Sequence, residues 1–303
     1  MTEQGKRVAV VTGAGRGLGR EIARYLARNG WALVVNDNGA EIDGSGGDAG
    51  VAEAVAGEIR AAGGQAAASA DTVGSWETGE RLAALANERF GPVDLLVNNA
   101  AILRDRMSFK MSADEWQTVI EQNLSGAFYC CRAVLPEMRE RRSGSIVNII
   151  STTAIYGNSS QVNYASSKGG LLTMSRVLAQ DMYKYGVTVN AVAPFGHTRD
   201  TERIVALTPE VQQYFEGAMT VPAEDVAPLV AFLASDAGKK ITGQVLGVRG
   251  KEVFLFSQPR PIRSAVKSSG WDVDGLTRVF ETWEAALAGM ETDLEVFKYR
   301  PFV

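Results

Sequence analysis

Val8-Ala9-Val10-Val11-Thr12-Gly13-Ala14-Gly15-Arg16-Gly17-Leu18-Gly19 joins a short strand of mostly branched residues to a predicted helix. Glycines at such a junction let the backbone turn sharply and approach a pyrophosphate, while the helix start presents free amides and the positive end of its dipole. The spacing differs from the simple G-x-G-x-x-G pattern, but its position between strand and helix predicts a dinucleotide site. The residues expected to contact the cofactor here are Gly13, Arg16, Gly17, Leu18 and Gly19.

Short apolar runs and longer amphipathic stretches alternate along the rest of the chain. This alternation is typical of βαβ units, in which right-handed crossovers place helices on both faces of a parallel sheet. The predicted strands are Val8 to Val11, Ala32 to Asn36, Ala66 to Ala70, Val93 to Val97, Ser145 to Ile150, Val187 to Val192 and Gln244 to Val248. The predicted helices are Arg20 to Asn29, Gly50 to Ala62, Trp76 to Phe90, Ala113 to Arg141, Gln161 to Tyr185 and Ala223 to Ala234. The pattern predicts an α/β fold with a Rossmann-like, doubly wound parallel sheet.

The length and composition favour one domain with an appended tail. A chain of 303 residues that is 46% apolar can bury a substantial core. We expect residues 1–256 to form a dinucleotide-binding and catalytic domain and residues 257–303 to form a C-terminal extension. The extension is too short for a core of its own, so Trp271 and the predicted helix from Val273 to Ala288 should pack on the main body or on a neighbouring subunit.

Charge and hydropathy argue against several classes of protein. The net charge of -4 argues against a nucleic-acid partner. No apolar run is long enough to span a membrane, and the polar stretch before Val8 lacks the apolar segment of a secretory signal. No metal-ligand spacing occurs, and the adjacent Cys130 and Cys131 are expected to be buried thiols and not a disulfide. We therefore expect a cytoplasmic protein with neither a metal nor a membrane partner.

Polar residues after the second, third and fourth strands complete the predicted cofactor site. Asp37 ends the second strand, where a carboxylate can accept hydrogen bonds from both hydroxyls of an adenine ribose and would repel a 2′-phosphate. This position favours NAD over NADP, although Arg16 could bind such a phosphate and Asp37 could instead cap a turn. The residues expected at the ligand-binding edge after the next two strands are Asp71, Thr72, Asn98 and Ala100.

Three side chains form a candidate catalytic set. Tyr164 and Lys168 stand four residues apart, and Ser151 precedes Tyr164 by thirteen positions. A helix places positions i and i+4 on one face, so the Lys168 ammonium can lie near the Tyr164 phenol and favour its ionised form. A phenol with an ordinary pKa of about 10 thereby becomes a usable base. Taken singly, the three could equally be an amphipathic-helix tyrosine, a solvated lysine and a strand-end serine.

Together these residues resemble the short-chain dehydrogenase/reductase family over about Lys6 to Gly250. The matching positions are Thr12, Gly13, Gly17, Gly19, Asn98, Asn99, Ala100, Asn123, Ser151, Tyr164 and Lys168. The resemblance implies that Tyr164 takes the proton of a substrate hydroxyl while the carbinol hydride passes to NAD, and that Ser151 holds the same oxygen. It also implies that Lys168 binds the nicotinamide ribose and that Asn123 holds a water linking Lys168 to solvent.

Two departures from the family pattern bear on the site. Ala101 stands where the family usually has glycine, and Pro194-Phe195-Gly196 replaces the usual Pro-Gly after the sixth strand. The second departure alters the loop beside the nicotinamide, where the resemblance implies that Thr198 contacts the carboxamide. His197, the only histidine, lies in the same loop. We expect it to have a solvent or packing role, because Tyr164 already fills the position of the base.

The likeness is closer to the (3R)-hydroxyacyl-CoA dehydrogenase portion of the peroxisomal multifunctional enzyme and to its free-standing bacterial relatives. It is carried by the loop from Asn38 to Asp48, by Val35-Asn36-Asp37, by Ile102-Leu103-Arg104-Asp105-Arg106, by Ile155-Tyr156-Gly157-Asn158 and by the tail. It implies oxidation of a (3R)-3-hydroxyacyl-CoA to the 3-oxoacyl-CoA with NAD. The alternatives are a dehydrogenase of a free hydrophobic alcohol, such as a hydroxysteroid or terpene alcohol, and an NAD-binding sensor or scaffold without turnover.

The substrate side leaves several interpretations open. Arg104, Arg106 and Lys110 could bind CoA phosphates or form surface ion pairs. The apolar residues Phe195, Tyr214, Phe215 and Met219 could cover a hydrophobic substrate or pack against the tail. The Asn38 to Asp48 loop could be a flap near the cofactor or a plain solvent loop. The resemblance also implies a homodimer or homotetramer built on the helices that contain Asn123 and Tyr164.

Overall fold

A computed structural model of the chain describes residues 6–196, 209–287 and 289–303. The strands of this part of the chain are β1 (Val8–Thr12), β2 (Ala32–Asn36), β3 (Gln65–Ser69), β4 (Leu95–Asn98), β5 (Gly144–Ile149), β6 (Val187–Phe195), β7 (Val245–Arg249) and β8 (Glu252–Leu255). They form one sheet in the order β3-β2-β1-β4-β5-β6-β7-β8. Strands β1 to β7 are parallel, which confirms the predicted Rossmann-like fold.

The last strand was not predicted. β8 pairs antiparallel with β7, with Leu246 opposite Leu255. Only alternate side chains of β8 are partly covered, and Val253 and Leu255 are 64% and 70% exposed. Its apolar run, Val253-Phe254-Leu255-Phe256, is short, follows β7 almost directly and lacks the alternation of apolar and polar residues that marks a half-buried strand.

Helices cover both faces of the sheet. They are α1 (Gly17–Arg28), α2 (Gly50–Ala61), α3 (Trp76–Arg89), α4 (Ala113–Ile120), α5 (Gly126–Arg141), α6 (Thr153–Tyr156), α7 (Val162–Met182), α8 (Pro209–Met219), α9 (Ala227–Leu233), α10 (Val273–Trp283) and α11 (Asp293–Val296). Alternate residues of β1 point to opposite faces, so Ala9 and Val11 join a core with α1, α2 and α9. Val8 and Val10 join a second core with α3, α5 and α7.

The predicted helix from Ala113 to Arg141 is present, but it changes type in its middle. Between α4 and α5 the backbone forms a π-helical turn, Glu121–Ser125. Its residue Asn123 is 1% exposed and bonds the backbone of Ile102, with Ile102 N–H donating to Oδ1 at 2.8 Å and Nδ2 donating to Ile102 O at 3.0 Å. Apolar periodicity does not report such a distant polar contact, and π turns of this kind are frequent at functional sites.

Cys130 and Cys131 lie on α5 as free, buried thiols, as predicted. Burial raises the pKa of Cys130 to about 12. A thiol held in its protonated form is a poor nucleophile, so this pair belongs to the core.

The C-terminal extension returns to the main body. The Phe297 ring is 4% exposed and lies 4.6 Å from the Phe195 ring and 5.3 Å from the Phe254 ring, centre to centre. Nearby, Lys251 N–H donates to Phe302 O at 2.7 Å. In the part of the chain that the structure describes, no helix is long and apolar enough to cross a bilayer.

Two helical glycines provide a matched test of the packing between α3 and α5. A Cβ on Gly79 would stand 2.5 Å from the backbone oxygen of Tyr129, whereas a Cβ on Gly57 of α2 would meet only Arg60 Nη2, at 3.8 Å. We expect Gly79→Ala to lower the free energy of unfolding by about 1–3 kcal/mol through overpacking. Gly57→Ala should raise it by about 0.5–1 kcal/mol through helix propensity. Chemical denaturation measures both, and equal stabilisation by the two substitutions would contradict the close approach.

Candidate active site

A cleft of about 1370 Å³ opens at the carboxyl-terminal edge of the parallel strands. Ligands bind at this edge in open parallel sheets. Most of the site residues expected from the sequence line it, namely Gly13, Arg16, Gly17, Leu18, Asp37, Asp71, Ala100, Ser151, Tyr164 and Lys168. The structure therefore brings the glycine turn and the candidate catalytic set into one cavity.

Four expected residues do not line the cleft, and one falls outside the description. Gly19, Asn98 and Asn123 are buried and Thr72 is exposed, and none of the four lines the cleft. The Thr72 hydroxyl accepts from Asn38 Nδ2 at 3.0 Å, and Asn38 is the residue of this pair that lines the cleft. Thr198, together with His197, lies outside the described residues.

The glycine turn combines close packing with an open surface. Gly13 has a φ of +62° and Gly17 a φ of +50°, in the left-handed region that favours glycine. A Cβ on Gly19 would stand 2.1 Å from the Gly13 carbonyl oxygen, so α1 packs directly on the turn. At Gly17 a Cβ would meet no described atom within 4 Å. The open side and the start of α1 at Gly17 fit a pyrophosphate.

Thr12 and Asn99 bind the ends of β1 and β4 together. Thr12 Oγ1 accepts from the N–H groups of Asn99 and Ala100, both at 3.1 Å. In return, Asn99 Nδ2 donates to the carbonyls of Thr12 at 3.0 Å and Gly13 at 2.9 Å. These four bonds fix the glycine turn against the loop that follows β4. The sequence placed Asn99 in the family motif, but this clamping role was not predicted.

The Asp37 carboxylate is fixed beside the glycine turn. Gly15 N–H donates to Oδ2 at 2.9 Å, and Gly39 N–H donates to Oδ1 at 2.8 Å. Each carboxylate oxygen keeps further lone pairs, so hydroxyls of a ligand can still donate to it. Arg16, the residue that could oppose NAD selectivity, donates from Nη1 to Ala40 O at 3.3 Å. Both side chains therefore face the loop from Asn38 to Asp48, which forms part of the cleft wall.

Asp71, which follows β3, lines the cleft together with Asp37. Burial works to raise the pKa of Asp71, but hydrogen bonds from Arg81 and Ser69 outweigh it and hold the pKa below its ordinary value. Arg81 Nε and Ser69 Oγ each donate to the carboxylate at 2.8 Å. Asp71 is therefore a fixed acceptor at neutral pH.

The candidate catalytic residues meet across β5 and α7. Lys168 is 2% exposed, and its Nζ donates to Ile149 O at 2.8 Å and lies 5.7 Å from the centre of the Tyr164 ring. Ser151 follows β5, and its Oγ accepts from Thr153 N–H at 3.2 Å. The Ser151 proton points to Thr153 Oγ1 at 3.1 Å and can instead be donated to a ligand oxygen.

Buried amides support this set from behind. Asn98 Nδ2 donates to Asn148 Oδ1 at 2.8 Å, and Asn148 Nδ2 donates to Ser175 Oγ at 2.9 Å. The chain links β4 and β5 to α7, the helix that carries Tyr164 and Lys168. Asn98 is thus a packing residue of the wall in the structure, and its direct cofactor contact stays a prediction.

Two of the three basic residues expected on the substrate side, Arg104 and Arg106, form ion pairs. Arg104 Nη1 bonds Asp114 at 2.7 Å, and Arg106 donates from Nε and Nη2 to Glu115 Oε1 at 3.0 and 2.9 Å. Both arginines line the cleft, whereas Lys110 does not. Arg104 Nε also donates to Asp43 O at 2.8 Å, so it anchors the loop after β2.

The tail supplies residues that sequence reasoning missed. Thr292, Asp293 and Leu294 line the cleft, and Thr152 Oγ1 donates to Asp293 Oδ2 at 2.9 Å. No sequence pattern reports this contact, because the two partners are 141 positions apart. Of the predicted lid residues, Phe195, Tyr214 and Phe215 line the cleft, whereas Met219 does not.

Comparisons with known proteins agree with this geometry. A family model described as short chain dehydrogenase matches residues 7–209. A protein of Mycobacterium tuberculosis named as a short-chain type dehydrogenase/reductase is 41% identical over 230 residues, which cover 76% of this chain and 78% of the relative. A crystal structure of a short chain dehydrogenase from Mycobacterium avium superposes with a TM-score of 0.79 at 34% identity, covering 93% of this chain and 96% of that one.

Two further relatives have more specific names. A 3-oxoacyl-[acyl-carrier-protein] reductase of Staphylococcus epidermidis is 37% identical over 244 residues, covering 80% of this chain and 97% of the relative. The peroxisomal hydratase-dehydrogenase-epimerase of Saccharomyces cerevisiae is 39% identical over 233 residues. That match covers 77% of this chain but only 25% of the yeast protein.

The hydrogen bonds that Thr12 Oγ1 accepts from Asn99 and Ala100 can be tested with a matched control. Thr12→Val keeps the side-chain volume but leaves the N–H groups of Asn99 and Ala100 without their acceptor. We expect the free energy of unfolding to fall by about 1–3 kcal/mol and dinucleotide affinity to fall about tenfold. Thr12→Ser keeps the hydroxyl and should lose less than half as much of either. Urea unfolding and dinucleotide titration measure both, and similar losses in the two variants would show that the hydroxyl is not what matters.

Proposed function

Because the chain belongs to the short-chain dehydrogenase family, we propose that it is an NAD-dependent enzyme that interconverts (3R)-3-hydroxyacyl-CoA and 3-oxoacyl-CoA. Its membership makes it an oxidoreductase of secondary alcohols and ketones. The observation that carries the proposal is that Ser151, Tyr164 and Lys168 line the same cleft as the glycine turn. The choice of a 3-hydroxyacyl thioester is supported by the names of the yeast and staphylococcal relatives.

In the proposed oxidation, Tyr164 removes the proton from the substrate hydroxyl. The nicotinamide cofactor, when bound, supplies the acceptor for the carbinol hydride. The positive charge of Lys168 near the ring favours the phenolate form of Tyr164, which is the form that accepts a proton. Its bond to Ile149 O uses one of the three ammonium protons, and the proposal assigns Lys168 a contact to the nicotinamide ribose as well.

Ser151 orients the reacting oxygen. Thr153 N–H donates to Ser151 Oγ, and the hydroxyl proton, which points to Thr153 Oγ1, can rotate and be donated to a substrate oxygen instead. In ketone reduction the same proton would stabilise the developing alkoxide, while Tyr164 returns its proton. The Asn123 amide is engaged with Ile102, so its proposed role in holding a relay water stays a prediction.

The preference for NAD rests on Asp37. Its carboxylate lines the adenosine end of the cleft and is held there by two backbone N–H groups. A ribose with both hydroxyls can donate to this carboxylate, whereas a 2′-phosphate would bring like charges together. Arg16 is partly engaged with Ala40 O and is the residue that would have to bind such a phosphate.

A dehydrogenase of a free hydrophobic alcohol is the second candidate. Phe195, Tyr214 and Phe215 give the substrate side an apolar lining. Arg104 and Arg106 are paired with Asp114 and Glu115, which reduces their pull on CoA phosphates. The intact catalytic set counts against a sensor or scaffold without turnover.

We also propose a homodimer or homotetramer built on α4, α5 and α7. Apolar side chains on these helices remain exposed, including Trp116 at 39%, Phe128 at 39% and Val177 at 50%. Association would cover them. A single species with the mass of the monomer in light scattering at micromolar concentration would contradict this proposal. A cytoplasmic location stays a prediction.

The substrate class is tested by following nicotinamide absorbance with NAD or NADP on (3R)- and (3S)-3-hydroxyacyl-CoAs, hydroxysteroids and simple secondary alcohols. The proposal expects NAD-dependent turnover of the (3R)-acyl-CoA and little of the others. Turnover of free alcohols alone would keep the Tyr164 chemistry and discard the thioester.

Removal of one phenolic oxygen tests the base. We expect Tyr164→Phe to lower kcat by about 10²- to 10⁴-fold with little change in NAD affinity. Tyr156→Phe removes the same atom from a tyrosine that packs on Phe297 and does not line the cleft, and it should keep kcat within about threefold. Stopped-flow and fluorescence titration measure the two quantities. Equal losses in the two variants would argue against a catalytic role.

Cofactor choice is tested at Asp37. Asp37→Ser removes the charge, and we expect the ratio of kcat/KM for NAD over NADP to fall by about tenfold or more. Asp48→Ser removes a carboxylate from the end of the following loop, where it accepts from Gly50 N–H and does not line the cleft, and should leave the ratio unchanged. An unchanged ratio in Asp37→Ser would refute the assignment of NAD selectivity to this residue.

A further inference from the structure

The C-terminal extension brings a carboxylate to the substrate side of the cleft. Asp293 lines the same cavity as Ser151 and Tyr164. It is joined to the loop after β5 because Thr152 Oγ1 donates to its Oδ2 at 2.9 Å, and Thr152 directly follows Ser151. The Asp293 side chain therefore bonds the immediate chain neighbour of the residue proposed to hold the reacting oxygen.

The segment that carries Asp293 is anchored. Phe297, one helical turn further on, is 4% exposed and packs against the rings of Phe195, Phe254 and Tyr156 at 4.6, 5.3 and 6.3 Å. Thr152 is itself buried, at 5% exposure. Because both ends of the Thr152–Asp293 bond are fixed, the carboxylate is a built part of the wall and not a mobile surface charge.

Asp293 forms no ion pair with a cation of the described residues. Its Oδ2 accepts from Thr152, and Oδ1 makes no hydrogen bond to the described residues. Arg249 is buried behind the aromatic rings, donates from Nη2 to Tyr299 O at 2.6 Å, lies 4.0 Å from Glu252 and does not line the cleft.

The negative charge of Asp293 contributes to the raised pKa of two nearby tyrosines. Burial raises the pKa of Tyr214, and the negative charge of Asp293 raises it further, against an opposing effect of Arg249. Burial also raises the pKa of Tyr156, with added contributions from Glu291 and Asp293. A ligand anion in the same cavity would meet this negative potential.

We propose that Asp293 is a specificity-determining residue that rejects substrates with a carboxylate near the reacting carbon and admits their neutral esters and thioesters. This inference rests on the proposed function, because a 3-hydroxy acid and its thioester differ in charge at that position. One carbon separates the carbinol from the carboxyl group, so the proposal places the carboxyl group of a substrate held by Ser151 on the side of the cleft lined by Thr152 and Asp293. Discrimination then arises from repulsion of the wrong substrate, and added attraction for the right one is unnecessary.

The test compares 3-oxohexanoate with its methyl ester as substrates for reduction by NADH. The quantity measured is the ratio of kcat/KM for ester over acid, which reports discrimination in the transition state. Wild-type enzyme should favour the ester strongly. Asp293→Asn keeps the shape and an acceptor for Thr152 but removes the charge, and it should lower the ratio by about tenfold, mainly by improving the acid.

Two control variants separate charge from structure. Glu291→Gln makes the same change of charge two residues earlier, on a side chain that does not line the cleft, and should alter the ratio by less than about twofold. Thr152→Val removes the hydrogen bond and keeps the charge, so ester and acid should change in parallel. NADH affinity, measured by fluorescence, should be the same in all variants.

Two kinds of result would contradict the role of Asp293, and they differ in what they imply for the substrate class. An unchanged ester-to-acid ratio in Asp293→Asn, or an equal change in Glu291→Gln, would overturn the role of Asp293 while leaving the proposed function intact. If wild-type enzyme reduces neither the ester nor a 3-oxoacyl-CoA although NADH binds, the substrate class is wrong, and the inference about Asp293 falls with it.

Discussion

Parallel pairing of the strands is the constraint on which the site depends. Val11 pairs with Val97, and Val97 pairs with Val147, so β1, β4 and β5 end at one level of the sheet. The residues that follow these strands, Gly13, Ala100 and Ser151, are therefore neighbours around one cleft, although they are far apart in the sequence. Each strand end leaves a loop without strand partners, and the Thr12–Asn99 bonds close two of these loops on each other.

A buried ammonium, that of Lys168, distinguishes the end of the cleft that holds Ser151 and Tyr164. Removing a charge from water is costly unless polar groups compensate it. Lys168 is compensated in part by Ile149 O, and its position four residues after Tyr164 places the charge near the phenol. The hydrogen-bonded chain Asn98–Asn148–Ser175 ties α7 to the sheet and so keeps both side chains in register with β5.

Much of this arrangement could be predicted because it follows local patterns. The glycine turn, the strand ends and the i, i+4 pair each lie within a few residues, and the parallel sheet follows from the alternation of strands and helices. What could not be predicted depends on contacts between distant positions. The π turn at Asn123 accompanies a bond to Ile102, and the Thr152–Asp293 bond joins the tail to the loop after β5. In both cases a polar contact decides the geometry, and apolar periodicity does not report such contacts. The hairpin of β7 and β8 is local, but the run in β8 lacks the alternation that marks a strand.

The central claim is that the cleft transfers a hydride from the carbinol carbon of a 3-hydroxyacyl thioester to NAD. The most direct measurement uses (3R)-3-hydroxyacyl-CoA with deuterium on carbon 3 and follows the label by NMR. The account predicts that deuterium appears on carbon 4 of the reduced nicotinamide, in equal amount to the 3-oxoacyl-CoA formed. Oxidation with the label released to water, or no oxidation of this thioester by an enzyme that binds NAD, would contradict it.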